Sequence, residues 1–384
     1  MIIYLHKSIK TQLVGSNSED SALFLDQLLM ADYRSNHAVF IDSELTEYVS
    51  DIVSSNLKRW LIHIDQQTTK LAALVLYVNR VLVITDGSSD TQALPCCLQN
   101  KAVFISFEEI KKINLSLTVL LGENLDDCRF YMQMTRYYEA KHKIKGYTHR
   151  CETVNGGGST TYLSFKNAVC NNRRFTLCIA DSDKHYGDTS APEGQTLREL
   201  RRTNRKIQNL GNDTLCELLP LAVMEAENLI PYSLLERVFS SEPVCKECLE
   251  TLKTMSTTFS GDSSLSPVLF YDLKKGLRIK DCAKCVHTPI ANYWRGVFQQ
   301  MGDDISTQYD DYSDEKYGAL SKEEKEKIVK SGLRQHEILH KVVEHLEAAE
   351  NLNLLQVDFY LVDLWESIGM VVFTWTCAST PHSC

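Results

Sequence analysis

Residues 174–183 read Arg-Phe-Thr-Leu-Cys-Ile-Ala-Asp-Ser-Asp. From Phe175 to Ala180 the run is apolar except for Thr176, which predicts a short strand buried on both faces. It ends in two carboxylates, Asp181 and Asp183, which share a face if the chain is still extended there. Residues 115–122, LSLTVLLG, give a second buried strand that ends the same way: Glu123 follows at once, then Asp126 and Asp127. LDDCRFYMQMTRYYEAK (125–141) has the periodicity of an amphipathic helix, and RCETVNGGGSTT (150–161) is a strand running into a glycine turn. Strands alternating with helices predict an α/β domain with a mostly parallel sheet. Ligands of such sheets bind beyond the carboxyl ends of the strands. Acids placed there face a crevice and not the core.

The alternation extends toward the N-terminus. HAVFID (37–42), WLIHID (60–65), LAALVLYV (71–78) and RVLVITDG (80–87) read as strands, with a turn at Asp86-Gly87. SEDSALFLDQLLMADY (18–33) and ELTEYVSDIVSSNLKRW (44–60) read as helices. Further on, LRELRRTNRKIQNL (197–210) and DTLCELLPLAVMEAENLIP (213–231) are helix candidates, and DDISTQYDDYSDEK (303–316) is an acidic loop. SKEEKEKIVKSGLRQHEILHKVVEHLEAAENL (321–352) reads as a long helical stretch with Ser321 as its N-cap. FYLVDLWESIGMVVFTWTC (359–377) is apolar but carries Asp363 and Glu366, so it reads as a buried element and not a membrane span. The expected organisation is an N-terminal α/β domain (1–112), a central parallel-sheet domain flanked by helices (113–240), a cysteine-rich insert (241–295) and a mainly helical C-terminal region (296–384).

Composition narrows the function classes. The 384 residues contain 17 glycines and 8 prolines, too few for long low-complexity linkers. No charged segment leading into an apolar core opens the chain, which predicts a cytoplasmic protein without a signal peptide or membrane contact. In that setting thirteen cysteines argue against a disulfide scaffold. The formal net charge of −9 excludes a global attraction to nucleic acid, so binding would need a local basic patch or metal ions.

Glu123, Asp127, Asp181 and Asp183 would repel one another strongly if gathered in one crevice. Such a cluster is tolerable when it holds hard divalent cations such as Mg2+ or Mn2+. The Gly156-Gly157-Gly158 turn between the strands is either a plain turn or a set of free amides facing a phosphate. It matches neither a dinucleotide fingerprint nor a Walker A loop. Lys184, directly after the Asp pair, is either a phosphate contact or a solvated charge. Arg198, Arg201, Arg202, Arg205 and Lys206 recur every three to four residues and would form one basic helix face suited to backbone phosphates.

The ordered set is more specific than its parts. A strand ending in Glu, an acid a few positions on, a strand ending in glycine and a strand ending in Asp-x-Asp resembles the TOPRIM domain of topoisomerases, primases and OLD-family nucleases, over roughly residues 113 to 235. Met224-Glu225-Ala226-Glu227-Asn228 resembles the Glu-x-Glu-Asn segment of OLD-like and anti-phage TOPRIM nucleases. The resemblance implies that Glu123, Asp127, Asp181, Asp183 and Glu227 or Glu225 hold Mg2+ or Mn2+. Asn124 stands where the family has a glycine, Asp126 is an alternative to Asp127, and Glu152 is a further candidate ligand. One or two such ions about 4 Å apart support phosphodiester hydrolysis. The implied protein is a metal-dependent endonuclease acting on RNA (tRNA included) or DNA, a defence or toxin-type effector governed by a partner such as an ATPase or reverse transcriptase. A homo-oligomer is compatible with it. The alternatives are a nucleotidyl- or phosphoryl-transfer enzyme using the same acids, and a non-catalytic nucleic-acid-binding scaffold.

Cys245-Lys-Glu-Cys248 and Cys282-Ala-Lys-Cys285 are two C-x-x-C pairs, with His287 as a substitute ligand. Four thiolates suit tetrahedral zinc and leave no open position, so the expected role is a structural Zn2+ staple. Asp272-Leu-Lys274-Lys275-Gly276 lies between the pairs, and the sequence gives it no mechanism.

Overall fold

The computed structural model describes the chain except residues 14–17, 88–93, 189, 260–265, 283–287, 303–318, 336, 350–354 and 381–384, and the side chains of Ser18 and Cys282. The acidic stretch 303–316 therefore lies outside the described residues. The chain forms two compact units. The first comprises Met1–Ile179, Glu199–Leu219 and the segment from Glu366; the second comprises Ala180–Arg198 and Pro220–Trp365.

The first unit holds two four-stranded sheets, but for the terminal residues Ala180 and Pro220 of two strands. One sheet contains β1 (Ile2–Leu5), β2 (Ala38–Ile41), β3 (Val81–Thr85) and β4 (Ala102–Ser106) in the order β2-β1-β3-β4, all parallel. Every residue of β1, β2 and β3 is buried, so both faces are covered, as parallel sheets require. On one face Ile2, Tyr4, Phe40, Val81 and Val83 pack with Leu71, Leu74, Val78, Tyr138 and Phe373. The second sheet follows in sequence: β5 (Asn114–Gly122), then β6 (Tyr147–His149) outside it, β7 (Cys151–Asn155), β8 (Arg174–Ala180) and β9 (Cys216–Pro220). Its order is β7-β5-β8-β9, with β5 parallel to both β7 and β8.

The helix Leu125–His142 returns the chain from β5, and the C-terminal helix Phe359–Thr376 crosses it at Gly369. A Cβ there would lie 2.8 Å from both the Met134 carbonyl and the Tyr138 Cβ. The Glu366 carboxylate closes the crossing on Lys141 and on His142 Nε2 (2.7 Å). The apolar C-terminal stretch is thus a buried helix. Among the described residues no helix is long and apolar enough to cross a membrane. In the second unit β10 (Gly276–Arg278) pairs antiparallel with β11 (Ile328–Ser331), while in the first β12 (Cys377–Ser379) pairs antiparallel with β6.

Four local readings are corrected. WLIHID lies in the helix Lys58–Gln67 and LAALVLYV begins with the helix Leu71–Val75. In both, the buried residues (Leu61 and Ile64; Leu71, Leu74 and Val75) recur at helical spacing inside an apolar run too short to separate the two periods. Residues 213–231 contain strand β9 and a short 3-10 turn, not a helix, because sheet pairing and Pro220 override local propensity. The stretch 321–352 is broken: Ser321 does cap a helix, Lys322–Lys325, but β11 intervenes before the helix Ile338–Glu347.

The turn after β7 generates a prediction. The Gly156 Cα faces the Gly122 carbonyl, where a Cβ would lie 2.6 Å from that oxygen and 2.4 Å from Thr161 Oγ1. At Gly158 a Cβ meets open space, though φ is +60°. Gly156→Ala should therefore lower unfolding stability by about 2–4 kcal/mol in urea titrations, and Gly158→Ala by about 1 kcal/mol. Equal losses would refute the close approach.

Candidate functional site

At the exit of β5 the acids serve the start of the next helix. Asn124 Oδ1 accepts from the Asp127 amide (3.1 Å) and Asp127 Oδ2 accepts from the Asn124 amide (2.9 Å), a reciprocal cap. Asp127 is buried in that role. Asp126 pairs with Arg129 at 2.7 Å. Glu123 is half-buried, and its main-chain carbonyl accepts from the amides of Gly157 (3.0 Å) and Gly158 (3.3 Å). The Gly156 amide donates to the Gly122 carbonyl at 2.9 Å. All three glycine amides thus close the turn onto β5, which decides for a plain turn over a phosphate cradle. Glu152, on β7, is exposed and paired with Arg174 at 2.7 Å.

At the exit of β8 a different group forms, within the second unit. Asp181 Oδ1 accepts from the Ala226 amide (3.0 Å), Ser182 Oγ donates to the Val223 carbonyl (2.5 Å), and the Asp183 amide donates to the Met224 carbonyl (2.9 Å). Residues 181–183 are therefore laced to residues 223–226. Asp183 has φ +53°, and its carboxylate lies over Gly194, where a Cβ would fall 1.8 Å from Oδ2. Lys184 is half-buried, and its amide donates to Ser182 Oγ at 3.3 Å. Asn228 is buried and braces the acidic segment: its Oδ1 accepts from the Glu225 amide (3.0 Å), and its Nδ2 donates to the carbonyls of Val268 and Tyr271 (2.8 Å each).

Glu225 and Glu227 converge on one cation. Lys274 Nζ lies 3.0 Å from Glu225 Oε2 and 2.9 Å from Glu227 Oε1. The side chains of Glu227, Glu225 and Lys274 are 7%, 17% and 35% exposed, so water screens the group only from the lysine side. Two carboxylates on one ammonium leave a net charge of −1. Burial pushes the Glu225 carboxyl above its ordinary value, and the shared Lys274 only partly offsets it. Burial alone would depress the Lys274 ammonium, but Glu227 and Glu225 hold it above its ordinary value.

Among the described residues, no group of three or more His, Cys, Asp or Glu side chains is placed to hold a metal ion. The donors at β8 are nonetheless hard oxygens, and a cation already bridges two of them. Carboxylate oxygens are the donor type that Mg2+ and Mn2+ take, and the position between this pair is filled by the Lys274 ammonium. Sequence reasoning singled out Lys274 as a possible substrate contact but gave it no ion-pair role, since its partners lie 47 and 49 residues upstream and no local spacing announces them.

Arg198, Arg201, Arg202, Arg205 and Lys206 are all exposed on the helix Gln195–Asn209, while Leu197, Leu200, Thr203 and Ile207 are buried. Arg202 pairs with Glu199 at 2.6 Å, and Arg198 Nε donates to the Gly194 carbonyl at 3.3 Å. Cys245 and Cys248 are buried at the start of the helix Lys246–Thr258, and Cys245 Sγ donates to the Leu333 carbonyl at 3.3 Å. Burial raises both thiols. Cys285, His287 and the Cys282 side chain lie outside the described residues. No protein-family model matches the chain, and neither a curated protein nor a solved structure matches it.

Removing the ammonium should expose the repulsion it relieves. Lys274→Met is expected to cost about 1–3 kcal/mol of stability near pH 7, less than for a fully buried pair because Lys274 is partly solvated. The Glu225 carboxyl already sits above its ordinary value in the folded state. Folding therefore favours its protonation, and stability must return as pH falls through the carboxylate range near about 4–5. Thermal unfolding of both proteins across pH 4–8 checks this. A deficit independent of pH would assign the loss to packing of the lysine stem.

Proposed function

We propose that the protein is a metal-dependent nuclease of the TOPRIM kind, hydrolysing phosphodiester bonds of RNA, including tRNA, or of DNA. One arrangement supports this reading. Asp181, at the exit of a buried strand, is tied through the Ala226 amide to the loop whose Glu225 and Glu227 converge on a cation. In this proposal Asp181, Asp183, Glu225 and Glu227 hold Mg2+ or Mn2+. When bound, such an ion polarises a phosphoryl oxygen and makes water nucleophilic near neutral pH.

The chain's own residues do the rest. The Ser182–Val223, Asp183–Met224 and Asp181–Ala226 bonds fix the two acidic segments against each other, and Asn228 anchors the second to Val268 and Tyr271. Lys274 keeps Glu225 and Glu227 convergent while no divalent ion is present. Lys184 neutralises the scissile phosphate, and the exposed basic face from Arg198 to Lys206 takes flanking phosphates of the strand. The role as a partner-governed effector belongs to the same proposal. The non-catalytic scaffold has one observation in its favour: Lys274 already satisfies the glutamate pair as a purely internal ion pair.

Purified protein incubated with labelled tRNA, single-stranded RNA and plasmid DNA, in Mg2+, Mn2+ or EDTA, tests the reading. Cleavage should be abolished by EDTA and fall at least about 100-fold in Asp181→Ala/Asp183→Ala. Calorimetric titration with Mn2+ should show binding that this double variant loses. Identical Mn2+ titrations for the two proteins would sink the nuclease and leave the scaffold.

A further inference from the structure

Lys274 and Lys275 are adjacent, yet they serve different places. Lys274 reaches Glu225 and Glu227, whereas Lys275 lines a pocket of about 240 Å³ in the second unit. That is below the roughly 300–1,000 Å³ of drug-sized sites and leaves room for one small ring-and-phosphate unit, not for a duplex. Its charged side comes from the β10 turn: Lys275, Arg278 and Lys280. Its apolar side comes from Phe270 and Trp294, and His185, four residues after Asp181, completes the lining.

The pocket is built, not incidental. The Trp294 Nε1 donates to the His185 carbonyl at 3.0 Å, fixing the indole against the loop that follows the Asp pair. Asp272 Oδ1 accepts from the amides of Lys274 (3.1 Å) and Lys275 (2.7 Å), which sets the turn and sends the two lysines their separate ways. Gly276 has φ +74°, and a Cβ there would lie 2.0 Å from the Lys330 carbonyl, so β10 tolerates no side chain at this point. Arg278 and Lys280 both rest on one carboxylate, Glu326, the latter at 2.7 Å. Glu326 and the lining acids Asp272 and Asp281 formally balance Lys275, Arg278 and Lys280, so the pocket offers three cationic groups without a net positive charge. Asp272 and Asp281 also line the pocket, but Asp281 Oδ2 accepts from the Arg278 amide (3.2 Å) and Asp272 holds the turn amides.

We propose that this pocket binds one nucleotide unit, its phosphate monoester against Lys275, Arg278 and Lys280 and its base against the Phe270–Trp294 side. Cationic groups beside an apolar wall suit a phosphate that carries a ring; Phe270 and Trp294 are 5% and 1% exposed, so they offer the ring contact at the pocket wall and not a free stacking face. The choice of a nucleotide rests on the nuclease reading and deepens it, by giving the site a subsite for a phosphorylated strand end or a free monophosphate.

Calorimetry on the intact protein in EDTA separates the two readings. The probes are the four ribonucleoside 5′-monophosphates and a tetranucleotide with or without a 5′-phosphate. Saturable binding is expected, weakened at least about tenfold in Lys275→Ala/Lys280→Ala, which removes charge-assisted contacts. Ile290→Trp, which fills the pocket from another wall, should weaken it as well. Asp181→Ala/Asp183→Ala should bind as the parent does. A preference for the phosphorylated tetranucleotide identifies a strand end, and binding of monophosphates alone identifies a free nucleotide. No binding of any probe at millimolar concentration, or equal binding by the pocket variants, overturns the proposal even if cleavage is observed. Lysine-dependent binding without cleavage by any preparation would retain the pocket and discard the nuclease.

Discussion

Strand β5 is hydrogen-bonded in parallel on both sides, to β7 and to β8. Parallel pairing sends the carboxyl ends of all three strands to one edge and requires a crossover between them. A strand flanked on both sides and covered on both faces has no place for charge along its length: Val119, Leu120 and Leu121 are essentially inaccessible. Polarity returns only where the strand ends, so Glu123 and Asp181 stand immediately after Gly122 and Ala180. The same edge is crowded. At Gly122 a Cβ would come within 3.0 Å of Cys128 Sγ, and at Gly156 within 2.6 Å of the Gly122 carbonyl. Two glycines are therefore set by packing at the sheet edge, independently of any ligand.

The acids of the two units differ in what occupies them. Asp127 and Asp126 are accounted for locally, by the helix cap and by Arg129. Glu225 and Glu227 are not, because their partner comes from a distant turn and neutralises only one of two charges. A half-buried group with a residual negative charge gains little stability for the fold, since desolvation offsets most of the attraction.

The parts of the fold legible in the sequence are those whose pattern is long or unambiguous. LSLTVLLG and RFTLCIA read as buried strands because parallel strands carry unbroken apolar runs. The helices Ser18–Tyr33, Leu125–His142 and Gln195–Asn209 span several turns, enough for their period to show. The short helices at 58–67 and 71–75 were hidden because apolar runs as short as WLIHID and LAALVLYV fit either period. Strand β11 was hidden because its partner β10 lies some fifty residues upstream and supplies the pairing that local helix propensity opposes. The acids of the candidate site announced themselves by following buried strands, whereas Lys274 had nothing to follow. Its meaning depends on tertiary placement alone.

Asp183 separates a charge that is merely tolerated from one that is required. Its left-handed backbone costs a non-glycine residue about 1 kcal/mol or more, although aspartate bears it better than most. The nearby start of the helix Gln195–Asn209 favours an anion, but that preference is met by any acid in a relaxed conformation. A chain arranged for stability alone would put glycine at 183 and leave 194 unconstrained. Here the order is reversed: the carboxylate takes the strained position, and glycine stands at 194, where a Cβ would overlap Asp183 Oδ2. Glycine at 194 leaves the carboxylate at 183 room to lie where it does. Strain kept at a polar residue, and relieved by no neighbouring side chain at 194, fixes the Asp183 carboxylate by backbone geometry and not by acidity.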